Sequence, residues 1–109
     1  MSSSMMIFVT LKAPNGMVIT IRTDDISESL LALRKEGDNL ITTLNNLPEI
    51  YIPTNNNNQT YDEFVEYRNN LLQKVHIYRT VMDFYNQNKC EIKIERCDST
   101  KELGITFTA

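Results

Sequence analysis

Two runs of alternating residues joined by a turn open the chain, and they constrain the fold more than any other feature. In "MMIFVTLKAPNGMVITIRTDD" every second residue on one side is apolar: Ile7, Val9, Leu11, Met17, Ile19 and Ile21. A period of two is the period of a β-strand. Pro14, Asn15 and Gly16 lie between the runs and are typical turn residues. The sequence therefore predicts a β-hairpin whose apolar face must be covered by another layer.

Length and composition indicate one globular unit. The chain has 109 residues, of which 41% are apolar and 23% charged, and two separate cores would each be small. We therefore predict a single domain over residues 1–109. The net charge of −3 and the scattered lysines and arginines argue against nucleic acid as a partner, because phosphate binding needs a basic face.

The same sequence bears on location. It has no apolar run near the roughly 20 residues that a membrane-spanning helix needs, so no membrane partner is expected. The opening "MSSSMMIFVTLK" lacks the basic flank and cleavage site of a signal peptide. We therefore expect a cytoplasmic or nuclear protein with reduced cysteines.

Two short helices and a third strand are predicted after the hairpin. Asp25 with Glu28 has the spacing of a capping box, and the apolar residues that follow have helical spacing. Gly37 is a typical helix stop, so a second short helix is predicted in "DNLITTLNNL". "EIYIP" then predicts a short strand that ends at Pro53.

A long helical pattern runs from Thr60 to about Asn88. Its apolar stripe follows alternating steps of three and four: Phe64, Leu71, Val75, Tyr78, Met82 and Tyr85. The pattern would make a helix about 40 Å long. Asn69 and Asn70 mark a potential break, and both a continuous helix and a broken one remain open.

The tail predicts a C-terminal β-hairpin, and the asparagine tract predicts a loop. Ile92 and Ile94 alternate with charged residues, and Ile105 and Phe107 alternate with threonines. Residues 54–60 offer no apolar group for packing, so they are interpreted as a flexible loop inside the domain. The predicted class is therefore α/β in the α+β sense, with a hairpin at each end of the chain.

No catalytic, cofactor or metal signature is found. His76 is the sole histidine, and no serine or carboxylate is spaced to form a triad with it. Cys90 and Cys97 lie seven residues apart, without the short spacing of zinc sites. We therefore expect a protein that is not an enzyme and that binds no cofactor or metal.

The helical stripe carries the candidate interface. Phe64, Tyr78, Met82 and Tyr85 are predicted to contact a partner, because aromatic and methionine side chains supply large contact areas. Two interpretations of the stripe stay open. It can pack inside the domain against the hairpin, or it can form a seam between copies, since its spacing is that of a coiled coil.

The order of elements, with "IYIP" before a helix carrying "LLQKVHIYRTVMDFYNQ", resembles the BTB/POZ fold, and most of all its Skp and elongin C branch. Leu72, Lys74, Val75 and Tyr78 stand in the positions of that branch's helix motif, and the resemblance covers residues 7 to 87. The chain departs from the branch by lacking its later helices. The opening strands also resemble the start of ubiquitin, although the chain has no terminal diglycine.

The resemblance implies a non-enzymatic protein–protein interaction module. Such a module would act as an adaptor in a ubiquitin ligase complex and would bind a cullin-like partner or a second copy of itself. The alternative is a structural or viral accessory protein that self-assembles with the long helix as the seam.

Overall fold

In a computed structural model, the described part of the chain forms a four-stranded antiparallel sheet and two long helices. The structure describes residues 5–48, 60–98 and 102–109. In chain order the elements are β1 (Met5–Lys12), β2 (Val18–Thr23), α1 (Ser29–Asn46), α2 (Tyr61–Asn86), β3 (Glu91–Asp98) and β4 (Gly104–Thr108). The predicted mixed class of strands and helices is confirmed. Parts of the predicted arrangement are wrong, and others lie outside the described residues.

The opening hairpin forms the centre of the sheet. β1 pairs with β2 from Lys12 opposite Val18 onward. The turn is closed by two backbone bonds, in which the Gly16 amide donates to the Ala13 carbonyl and the Ala13 amide donates to the Met17 carbonyl. Gly16 has a φ of 92°, which a residue with a Cβ rarely adopts. The turn chemistry read from the sequence thus sets the register of the two central strands.

The last two strands do not pair with each other, so the predicted C-terminal hairpin is wrong. The sheet order is β3-β1-β2-β4, with β3 and β4 at opposite edges of the opening hairpin. Both edges of a two-stranded hairpin offer unpaired backbone groups, and each of the last strands satisfies one of them. The alternation predicted both strands, but it did not identify their partners.

One helix replaces the two short helices predicted after the hairpin. α1 runs from Ser29 to Asn46 and passes through Gly37, which is buried. A glycine inside a helix costs only about 1 kcal/mol, so packing can override it. Here the packing reason is visible, because a Cβ on Gly37 would overlap the ring of Tyr78. Asp25 caps a single 3-10 turn before α1, accepting a hydrogen bond from the Ser27 amide at 3.0 Å.

α2 is continuous, so the potential break near Asn69 does not occur. The predicted start is confirmed: the Glu63 amide donates to the Thr60 hydroxyl at 3.1 Å. At the other end Asn88 adopts a left-handed φ of 58°, and the Lys89 amide donates to the Phe84 carbonyl. These are the features of a Schellman motif, which ends the helix just before β3.

The core lies between one face of the sheet and the two helices. Its fully buried side chains come from β1, β2, α1 and α2: Leu11, Ile19, Ile21, Leu33, Ile77 and Val81. In the described part of the chain, neither helix is both long and apolar enough to cross a membrane. The predicted third strand at 49–53 and residues 54–59 of the predicted loop lie outside the described residues.

Candidate functional site

The two helices do not cover the whole sheet. Among the described elements, α2 contacts β1, β2 and β4, and α1 contacts β2, whereas β3 has extensive contacts only with β1. Ile94 pairs with the buried Val9, and Ile92 pairs with the buried Leu11. Paired residues in an antiparallel ladder point to the same face, so both isoleucines lie on the side of the sheet that carries the core. Yet Ile92 is 52% exposed and Ile94 is 51% exposed.

Of the features that usually prevent an edge strand from pairing with another chain, β3 has only charged side chains. Its eight residues pair with β1 in one unbroken register from Glu91 to Asp98, with no bulge and no proline. No strand in the described part of the chain pairs with its outer edge, which therefore offers a row of backbone N–H and C=O groups. Short length, bulges and prolines are the devices that commonly block such an edge. β3 relies on charged side chains alone.

The charges of β3 alternate in sign on the face away from the helices. Lys93 Nζ lies 3.1 Å from Glu95 Oε1, and both side chains are exposed. A surface ion pair of this kind contributes little to stability. Arg96 is also exposed, but it pairs with the buried Ile7 and so lies on the other face, with Ile92 and Ile94. A strand that combines exposed isoleucines on one face with both signs of charge on the other is suited to recognising a complementary strand.

A cleft of about 340 Å³ opens where α2 passes into β3. It is lined by Tyr85, Asn86, Asn88, Cys90 and Ile92. The Cys90 thiol donates to the Val81 carbonyl, with Sγ and O 3.4 Å apart, and burial raises the pKa of this thiol. A reactive cysteine needs a lowered pKa, so burial shifts this thiol in the opposite direction.

Of the four residues predicted for the interface, three pack inside the protein or against α1, and one lines the cleft beside β3. Phe64 and Met82 are buried within the protein. Tyr78 is half-buried, with its ring over Gly37 of α1. Burial raises the pKa of the Tyr78 hydroxyl, the Asp38 carboxylate adds to the rise, and Arg34 opposes it. Tyr85 alone among the four predicted residues lines the cleft beside β3.

The opposite edge of the sheet is built differently. Ile105 and Phe107 of β4 pack against the core, and α2 contacts this strand. Arg22 of β2 holds its start, donating from Nη1 to the Thr106 hydroxyl at 2.6 Å and from Nε to the Glu102 carbonyl at 3.0 Å. A second cleft of about 320 Å³ lies between this strand and α1. The β4 edge is therefore held both by packing against the core and by hydrogen bonds from the Arg22 side chain.

Sequence reasoning placed Ile92 and Ile94 in a strand but missed their exposure. The available signal was the strict alternation of isoleucine with charged residues of both signs in "EIKIE". His76 is exposed on α2, and the side chain of Cys97 lies outside the described part of the structure. Within residues 5–48, 60–98 and 102–109, no three histidine, cysteine or acidic side chains come together as metal ligands would.

Comparison with known proteins identifies no relative of this chain. No protein-family model matches the chain, and no curated protein or solved structure is significantly similar to it. The exposed edge of β3 with its two isoleucines, together with the adjoining cleft, is the strongest candidate for a functional surface.

Proposed function

We propose that the protein is a protein–protein interaction module that binds its partner along β3. The observation that carries this proposal is the pair Ile92 and Ile94, which share a face with the core but are half exposed. Recognition by β-augmentation needs exposed side chains beside a strand edge that is free to pair, and among the described strands nothing pairs with the outer edge of β3. Backbone hydrogen bonds supply affinity there, and alternate side chains supply specificity.

The chemistry of the partner follows from the strand. It presents an extended segment whose backbone can pair with β3 and whose side chains alternate in the same way. One face of that segment needs apolar groups to lie beside Ile92 and Ile94. The other face needs charges that complement Lys93 and Glu95. Tyr85 in the adjoining cleft is suited to contact a side chain that reaches past the strand.

This proposal keeps the non-enzymatic role expected from the sequence but changes the surface. A seam along α2 would need Phe64 and Met82, which are buried against the rest of the chain. The ubiquitin ligase adaptor role, with a cullin-like partner, rests on the resemblance to the Skp branch and stays a prediction. Part of that resemblance, the segment "IYIP", lies outside the described residues.

Capture of partners from cell extract with the tagged 109-residue chain tests the proposal. Wild type is compared with Ile92→Lys/Ile94→Lys, which adds two charges at exposed positions of β3. The matched control is Leu103→Lys/Thr108→Lys, which adds the same charges at exposed positions beside and in β4. We expect that wild type and the control variant both retain a partner protein, and that the β3 variant does not retain it.

A second measurement excludes non-specific capture. The purified complex is examined by hydrogen exchange, and we expect slower exchange of the β3 amides than in the free protein. The proposed surface would be refuted if the retained protein, or a second copy of this chain, depended equally on both edges. It would also be refuted if binding left the β3 amides unprotected. Thermal melts of all three proteins check that each variant is folded.

A further inference from the structure

We infer that the partner at the β3 edge is a second copy of this chain, paired antiparallel through β3 with Ile94 opposite Ile94. This inference rests on the proposed function and identifies its occupant. It follows from the order of charges along the strand, Glu91-Ile92-Lys93-Ile94-Glu95-Arg96. That order is complementary to itself when the strand is reversed about Ile94.

Symmetry limits the registers that two copies can adopt. Two copies of one strand that pair antiparallel are related by a two-fold axis perpendicular to the sheet, so each residue lies opposite one on the same face. The faces of β3 alternate along the chain. Isoleucine positions can therefore pair only with even-numbered positions, and Lys93 only with odd-numbered ones.

Charge then selects one register. Centring the pair on Ile94 places Lys93 of each copy opposite Glu95 of the other, giving two attractive pairs across the dyad. The neighbouring registers centre on Lys93 or on Glu95 and place those like charges opposite each other, which is destabilising. The Lys93–Glu95 ion pair within each copy already lies on this face. The four side chains would thus form a ring of alternating sign.

The same register suits the apolar face. Ile94 of each copy lies beside Ile94 of the other, and Ile92 lies opposite Arg96 of the second copy. The aliphatic stem of an arginine covers apolar surface while its charged head stays in water. Tyr85 of α2 lines the same cleft as Ile92, so it lies on the face of the sheet that this arginine would approach. The two sheets would become one continuous sheet with both helix layers on the same side.

Exchanging the charges tests the register directly. In the selected register, Lys93→Glu places a second carboxylate opposite Glu95 at both pairs, and Glu95→Lys places a second ammonium opposite Lys93 at both pairs. We expect the dimer dissociation constant to rise about tenfold or more for each single variant. An equimolar mixture of the two variants should associate more tightly than either variant alone, because each heterodimer places glutamate opposite lysine at both pairs. The double variant Lys93→Glu/Glu95→Lys restores both attractive pairs within one chain and should recover near wild-type affinity.

The measurement is the molecular mass by light scattering over a range of protein concentrations. Moderate salt should weaken the dimer, because its charge pairs are exposed to solvent. The substituted side chains are exposed, and thermal melts together with the recovery of mass in the double variant show that the substitutions leave the protein folded. A wild type that stays monomeric at every concentration overturns the inference. If β3-dependent capture of another protein is still observed, the proposed function survives. If the single variant Glu95→Lys associates more tightly than wild type, the register is wrong. Centring on Lys93 would place the new lysine opposite Glu91 and so strengthen the dimer.

Discussion

The two edges of the sheet have the same backbone chemistry but differ in how far the helices cover them. β4 has five residues, lies under α2 and is fastened by Arg22, and its Ile105 and Phe107 pack against the core. β3 has eight residues and projects beyond the helices with Ile92 and Ile94 half exposed. The difference lies in the helix layer, which covers one edge and leaves the other uncovered.

An isoleucine in an edge strand therefore has no fixed energetic value. Burying a large aliphatic side chain contributes roughly 1.5–3 kcal/mol, but only to the extent that water is removed from it. At β4 the helices remove that water. At β3 the same burial would become available on binding, which is why we propose the β3 edge, and not the β4 edge, as the recognition surface.

The same substitution at the two edges should give the largest contrast. Ile105→Ala removes a side chain packed on the core and should lower the free energy of unfolding by about 2 kcal/mol. Ile94→Ala should lower it by less than about 1 kcal/mol, because that side chain already contacts water. Denaturant melts of dilute, monomeric protein measure both. If both substitutions lowered the free energy of unfolding equally, the two edges would not differ in how far the helices bury them.

The position of the helix layer can be tested at Gly37. Gly37→Ala places a Cβ where the Tyr78 ring lies, so we expect a loss of about 1–2 kcal/mol despite the better helix propensity of alanine. Asn45→Ala, at an exposed position of the same helix, is the control and should be neutral or slightly stabilising. Combining Gly37→Ala with Tyr78→Ala should cost less than the sum of the two single changes. Strict additivity would show that the close approach does not position the helices.

The smallest effect is a pH dependence at the base of β3. Because burial raises the pKa of Cys90, the folded state holds the thiol proton more tightly than the unfolded chain does. The stability contributed by this group is complete below the ordinary thiol pKa and is lost as the pH rises through the raised folded value. In a Cys97→Ser background, alkylation of Cys90 should have its pH midpoint above that of the unfolded chain. A midpoint at or below the unfolded value would contradict the burial.

Local chemistry in the sequence was sufficient for the elements that depend on it. The alternation around Ile19 and the turn at Gly16 determine the opening hairpin, because side-chain period and turn geometry act over a few residues. Thr60 with Glu63 determines the start of α2 in the same way. The alternation in "EIKIE" also determines that β3 is a strand.

Tertiary structure decided the features that depend on distant partners. Gly37 reads as a helix stop, but the ring of Tyr78, far along the chain on α2, makes glycine the residue that fits inside α1. The last two strands read as a hairpin, but the edges of the opening hairpin were free to pair with them. Whether Ile92 and Ile94 are buried depends on where two helices come to rest. That position follows from packing across the whole core, and a pattern of period two cannot encode it.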